Sequence, residues 1–371
     1  MAAFHAPTHT PRLMFRWLWA CAAAAFGLLL ALPQAANAQQ KRLVTFGLPV
    51  AAINSSYCMF AVASRMGFLA DEGLEVKYQL IAGSTEVVQT VLSGRLDIGG
   101  ATPEPVFKAV SQGYDLVMFY DFVRAPTGSI AVLDASPIRR IEEFRGKKLG
   151  AQGLGSGNIM LTNAILANLG IDPKTEITYL AVGVGAQALQ ALRSRHVDGL
   201  ILFDSMYAQM ENMGAKLRYF QGPGQEKLFS TQFVIKRSRA ESDPKLAQGI
   251  GRAIAKATVV ARENPAACVR MLWQVFPASR VVGMSEDEQL KNDLTVLEKR
   301  MQLMISADST ANGWGHYSRS DIDAWNAFAV QGGIIDRKLD SVDAVYTNRF
   351  VPDFNRFDAA EIARRAKAWK E

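Results

Sequence analysis

From about residue 41 the apolar positions switch repeatedly between the short runs of a strand and the three-to-four spacing of a helix. Leu43–Leu48 reads as a strand, Tyr57–Met66 as a helix and Leu74–Leu80 as a second strand. Thr85–Ser93 follows as a helix and Asp97–Gly99 as a short strand. The same order then restarts: Lys148–Gln152, Glu176–Ala181 and Val197–Leu202 read as strands, with helices at Asn158–Leu169 and Ala186–Arg193 between them. Strands separated by helices imply parallel sheets covered on their faces, so the pattern predicts an α/β protein that builds one unit twice.

The duplication is visible residue by residue at an offset of 101. Val88–Asp97 aligns with Leu189–Asp198, with Gln, Ser and Asp coinciding and most apolar positions following. In both copies an inward apolar face turns sharply into a strand headed by Asp97 or Asp198. Any two strand–helix–strand units share some of this likeness, so it supports two similar lobes and leaves their ancestry open. Farther on, Asp243-Pro244 predicts the start of a helix carrying Leu246, Ile250, Ile254 and Ala257, and Asp321 the start of one carrying Ile322, Trp325 and Phe328.

The N-terminus follows a different logic. Arg12 and Arg16 precede an apolar run from Trp17 to Leu32, then Pro33 and the small-residue sequence Ala36-Asn37-Ala38. That is the layout of a secretory signal peptide over residues 1–38, cleaved after Ala38, and the run is shorter than the roughly 20 residues that span a bilayer. Cleavage delivers the mature chain to the periplasm. It also leaves 39 basic residues against 35 acidic ones. This mild and scattered excess gives no basis for nucleic-acid binding. Cys58 and Cys268 survive cleavage. An exported protein can bridge them, but Cys58 lies in an apolar stretch that predicts a buried free thiol.

In open parallel sheets, ligands gather beyond the carboxyl ends of the strands, where helix N-termini point. The loops there are small and polar: Asn54-Ser55-Ser56, Gly83-Ser84-Thr85 and Ala101-Thr102-Pro103 in the first unit, Gly153–Asn158, Gly183-Val184-Gly185 and Asp204-Ser205 in the second. Their N–H groups and hydroxyls suit an anionic group, and the same residues serve equally well as helix caps. Gly153–Asn158 fails the dinucleotide fingerprint because Asn158 stands where a third small residue is required, and no Walker loop occurs. His196 and His316 are the only histidines past residue 38, and no metal-ligand spacing or nucleophile elbow occurs. Neither a catalytic set, a metal site nor a cofactor is expected; Asp97 and Asp198 read as turn residues at the end away from the cleft.

The segments Tyr57–Gly73, Gly83–Gly100, Ile141–Gly157, Ala186–Asp198 and Tyr346–Phe350 resemble the nitrate, sulfonate and taurine binding proteins of ABC importers, a family that also includes thiamine-precursor binding proteins. The resemblance implies a two-lobed periplasmic binding protein fold, each lobe a mostly parallel sheet flanked by helices, with a ligand cleft between. The first lobe would comprise 39–125 plus 235–371, including the C-terminal helices, and the second 126–234. Crossovers would lie near Arg124–Val132 and Ser230–Ile235. Carried over by position, ligand contacts fall on Ser55, Ser56, Tyr57, Thr85, Ala101, Thr102, Ser156, Asn158, Gly185, Phe203 and Asp204. Glu104 departs from the small or apolar residue usual in the family, and with Asp204 it would favour an amino-bearing solute over a simple anion if both face the ligand. Arg124 is either the counter-charge for an acidic group or a tie between lobes. The implied role is a monomeric, non-enzymatic carrier of a small organic anion or zwitterion, with a permease and its ATPase as partners. Ligand sensing at the membrane is an alternative. So is the pyrimidine synthase of thiamine biosynthesis that shares this fold, although that enzyme would need a Cys-rich stretch and the precursor has three cysteines.

Overall fold

A computed structural model describes residues 1–5, 41–306 and 311–370. The expected signal peptide and its cleavage site lie outside the described residues, apart from residues 1–5. The described residues from Lys41 onward form one compact unit, containing two five-stranded sheets.

The first sheet is built from β1 (Arg42–Leu48), β2 (Leu74–Leu80), β3 (Ile98–Ala101), β4 (Val117–Asp121) and β10 (Gln232–Ile235), in the order β2-β1-β3-β10-β4. The second contains β5 (Gly128–Leu133), β6 (Lys148–Ala151), β7 (Thr178–Ala181), β8 (Gly199–Phe203) and β9 (Leu217–Phe220), in the order β7-β6-β8-β5-β9. In each, three neighbouring strands run parallel and the fourth position is antiparallel to both its neighbours: β10 in one, β5 in the other. Those two antiparallel strands are the first that the chain forms after passing between sheets, so the two sheets share one topology. The connections run over 122–127 and 221–231. The expected crossovers therefore overlap strands: the first includes β5, and the second is largely β10.

Helices cover both faces: α1 (Cys58–Arg65), α2 (Ser84–Leu92), α3 (Pro103–Ser111), α4 (Gly157–Asn168), α5 (Gly185–Arg193) and α6 (Asp204–Asn212). The C-terminal region adds α7 (Pro244–Glu263), α8 (Pro265–Val275), α9 (Glu286–Met304), α10 (Arg319–Gln331) and α11 (Ala359–Ala368). The offset of 101 holds exactly for the starts of α2 and α5, of β3 and β8, and of α3 and α6. It extends to the backbone, since Gly94 (φ 78°) and Arg195 (φ 58°) end their helices in the same left-handed turn. Arg195 takes a conformation that ordinarily favours glycine.

Asp97 and Asp198 repeat a structural task at the far strand ends. Asp97 Oδ2 accepts from the Thr45 backbone N–H and hydroxyl, both at 2.9 Å, and Asp198 Oδ2 accepts from Lys148 N at 2.8 Å. Asp97 thus precedes its strand instead of opening it. Of the two expected C-terminal helix starts, α7 begins as expected at Pro244 after Asp243 and the other differs. Asp243 makes no capping bond, because its carboxylate is paired with Arg42 and Arg239, and α10 begins at Arg319 after Ser318. At α9, by contrast, Ser285 Oγ accepts from Glu288 N at 3.3 Å beneath three acidic first-turn residues, a capping arrangement favoured by the helix dipole.

The cysteine expectation is overturned. Cys58 on α1 and Cys268 on α8 are both fully buried and joined as a disulfide, with Cα atoms 5.4 Å apart. The apolar surroundings predicted burial correctly; they carried no information about a partner 210 residues away. No described helix is long and apolar enough to cross a membrane.

Candidate functional site

The carboxyl ends of β1, β3, β6 and β8 deliver loops from both sheets to one cleft. Five helices start there, and none of α2 through α6 has its N-terminus capped by a side chain of its own N-cap residue. Their first N–H groups therefore lack the usual local acceptor, and the hydroxyls of Thr102 and Ser156 are not spent on capping. The first loop differs. Asn54 Oδ1 accepts from Ser56 N at 3.1 Å and from Ser56 Oγ at 2.7 Å, and Ser55 Oγ donates to the Asp293 carbonyl at 2.7 Å. Ser55 and Ser56 thus fasten the loop and leave Tyr57 to line the cleft.

The two sets of loops touch. Thr85 N donates to the Gly155 carbonyl at 3.3 Å, and Gln152 Nε2 donates to the Pro49 carbonyl at 3.1 Å. A Cβ added to Gly83 would stand 2.2 Å from the Gly155 oxygen, and one added to Gly157 would stand 2.0 Å from Thr102 Oγ1. Glycine at these positions is what lets the loops approach so closely. The cleft encloses two adjoining spaces of about 20 and 10 Å³. Tyr57, Ser84, Gln152, Ser156, Phe203 and Arg300 belong to the first; Glu104, Gln225, Phe229, Ser230 and Trp325 to the second. Thr102, Thr127 and Asn158 line both. Such spaces hold a water molecule, so a larger solute enters only if the loops separate.

Besides Ser55 and Ser56, five of the expected positions lie outside both linings. Arg124 does not line either space: its guanidinium donates to the His316 carbonyl and to Ser306 Oγ, and it pairs with Asp121 at 3.6 Å. Asp204 is not an open acid. Arg300 Nε and Nη2 donate to its two carboxylate oxygens at 2.9 and 2.7 Å, joining α9 to α6. Thr85, Ala101 and Gly185 contribute backbone near the cleft, and their side positions are outside both linings. Tyr57, Thr102, Glu104, Ser156, Asn158 and Phe203 are brought together.

Sequence reasoning missed Thr127, Gln152, Gln225 and Ser230 in these linings, and above all Arg300. It is 1% exposed and lies 5.6 Å from the Tyr57 ring centre. Burial alone would lower its pKa, but Asp204 more than reverses that and keeps the guanidinium charged. Its remaining nitrogen, Nη1, is buried with no hydrogen-bond partner, as are Gln152 Oε1 and Glu104 Oε2. Unsatisfied buried polar atoms are costly, so their gathering on one cleft marks a place built to receive a polar group.

Glu104, second residue of α3, is 2% exposed. Burial pushes its carboxyl up to about 7, against the opposing pull of the Thr102 hydroxyl and its own backbone N–H. The folded protein then binds a proton that the unfolded chain releases near pH 4.5. Stability from this group is consequently complete below about pH 4.5 and falls as pH rises to 7, by up to about 3 kcal/mol. Glu104→Gln should remove that slope. Urea unfolding at pH 5 and pH 8 would show wild type losing stability relative to the variant; parallel behaviour at both values would refute the assignment.

This doubled, two-sheet arrangement has counterparts. Residues 54–268, more than half the chain, match the family described as "NMT1/THI5 like". The chain belongs to the NMT1/THI5-like family. Among relatives of this family member, a protein of Legionella pneumophila named 4-amino-5-hydroxymethyl-2-methylpyrimidine phosphate synthase is 24% identical, over 84% of this chain and 93% of its own. In structure, the alkanesulfonate-binding protein of Xanthomonas axonopodis pv. citri superposes with a TM-score of 0.61 at 18% identity, covering 82% of this chain and 98% of the other. The periplasmic nitrate-binding protein of Synechocystis PCC 6803 also gives 0.61, at 13% identity, over 89% and 98%. At these identities the structural likeness establishes the two-lobed periplasmic binding protein fold.

Proposed function

We propose that this NMT1/THI5-like protein is the solute-binding subunit of an ABC importer, capturing a small organic anion or zwitterion in the periplasm and presenting it to a permease and its ATPase. The observation that carries the reading is the cleft itself: two topologically equal sheets bring uncapped helix starts and unsatisfied buried atoms of Gln152, Arg300 and Glu104 to a common space. We take 39–125 plus 235–371 as one lobe and 126–234 as the other. α9 and α10 extend the first toward the second, since α9 packs on α6 and α10 on α4. A ligand that touches both lobes favours the closed form by its differential affinity, and the connections at 122–127 and 221–231 are the hinge. Names carried by fold neighbours, an alkanesulfonate-binding and a nitrate-binding protein, support solute capture. The leader-like residues 1–38 and the disulfide support an oxidising compartment.

The synthase name of the Legionella relative raises an enzymatic alternative. Against it, Cys58 and Cys268 are joined away from the cleft, so neither is available as a thiol there.

Thermal shift of the mature protein against a panel of small sulfonates, carboxylates and amino acids tests the reading. A bound solute at 100 times its Kd should stabilise by about 2.7 kcal/mol. Ser156→Ala or Thr102→Ala should weaken it by about 1–3 kcal/mol for each bond lost to a charged group. Small-angle scattering should show a smaller radius of gyration at saturation. An unchanged radius with a verified ligand would refute hinge closure, and a panel without any stabilising member would refute capture of this solute class.

A further inference from the structure

Granting solute capture at this cleft, we infer that Glu104 is its specificity-determining residue and that the solute is an amino-bearing acid, its amino group bound by Glu104 and its acidic group by Arg300. The two halves of the cleft make opposite demands. Arg300 spends Nε and Nη2 on Asp204, so that pair carries no net charge, and Nη1 remains as an unpartnered donor on a residue that lines the first space. In the second space Glu104 Oε2 has no partner. Apart from Glu104, none of the residues lining that space is titratable. Tyr57 and Arg300 are the ionisable residues lining the adjoining one, and the pair Arg300–Asp204 is already balanced.

Charge decides between solute classes. With Arg300 neutralised by Asp204, an ionised Glu104 is the uncompensated charge of the cleft, and a simple anion would add a second. Both would then sit in a dry space without a matching cation, a costly arrangement. A protonated amine supplies the missing cation at Glu104, while the acidic end of the same molecule accepts from Arg300 Nη1 and from the shared hydroxyls and amide of Thr102, Thr127 and Asn158. Because those three residues line both spaces, one small molecule can reach both ends. Phe229, Leu161 and Trp325 offer apolar wall to a short carbon chain.

Matched pairs test this directly: taurine against ethanesulfonate, and 4-aminobutyrate against butyrate, titrated calorimetrically into the mature protein at pH 7.5. The amino member of at least one pair should bind tenfold or more tightly than its partner. E104Q should abolish that advantage, lowering amino-acid affinity at least tenfold while the desamino partner, freed of the Glu104 charge, binds as tightly as before or more tightly. Circular dichroism and melting of E104Q verify that the variant is folded. Equal affinity within pairs, or an equal loss for both members in E104Q, would overturn the inference. If the solutes of the wider panel that bind all lack an amino group, the amino-acid assignment fails and capture stands; if nothing in the panel binds, capture itself fails.

Discussion

Arg300→Ala should destabilise the protein by about 3–5 kcal/mol, the cost of leaving the buried Asp204 carboxylate without its partner. Arg300 is 1% exposed and holds both carboxylate oxygens, so little solvent is available to replace it. The substitution also removes packing over the Tyr57 ring. Asp204→Ala should cost a similar amount by stranding the guanidinium. The double variant Arg300→Ala with Asp204→Ala should lose much less than the sum, because neither charge is left buried alone. Denaturant unfolding of the four proteins measures this coupling. A loss under 1 kcal/mol for Arg300→Ala, or strict additivity, would show that water reaches the pair. The single variants should also lose ligand affinity, since the pair joins α9 to α6 where the two lobes meet.

Why Arg300 escaped sequence reasoning is instructive. Its helix buries Gln289, Asp293, Val296, Leu297, Arg300 and Met304, a regular stripe at helical spacing in which half the positions are polar or charged. Apolar spacing alone makes that helix look weakly amphipathic; a charge repeated on the inward stripe was the available signal. Its partner Asp204 lies 96 residues earlier, and no local rule pairs them. The loops fared better because turn chemistry is local. Gly83, Thr102, Ser156 and Asn158 announce helix starts through residue type, and the last three line the cleft. Glu104 was visible as an acid in the wrong company, whereas its burial and missing partner depend on α4 arriving from the second sheet.

The paired sheets were legible wherever a strand was followed by a helix in sequence. Strands β1, β2, β3, β6, β7 and β8 come from those units, and the expected starts differ from the observed ones by two residues at most. The pattern of the sequence does not mark the strands outside them. Val117–Asp121 and Gln232–Ile235 are buried at every position, so they show no alternation. The segments expected as crossovers overlap β5 and β10, which the local pattern does not delimit because these antiparallel strands are defined by partners far away in the chain.

Removing the Cys58–Cys268 bridge should have the second large effect. The two residues are 210 apart, and the loop they close contains the whole of the second sheet together with most of the first. On the chain-entropy account, closing a loop of that length stabilises the folded state by about 5 kcal/mol, with about 2–4 kcal/mol typical of measured bridges. Cys58→Ala with Cys268→Ala avoids leaving a reactive thiol and preserves most of the apolar contact. Both sites are fully buried between α1 and α8, and Val62, Ala253, Ala257, Val269 and Leu272 remain in the same core. The double variant should therefore still fold, with urea stability lowered by at least 2 kcal/mol and solute affinity unchanged, since neither cysteine lines the cleft. Wild type in reductant should approach the same stability. If the double variant matches oxidised wild type within about 0.5 kcal/mol, the bridge adds nothing beyond the packing of α1 on α8; if it binds solute more weakly, the bridge reaches the cleft through Tyr57, which adjoins Cys58 in sequence.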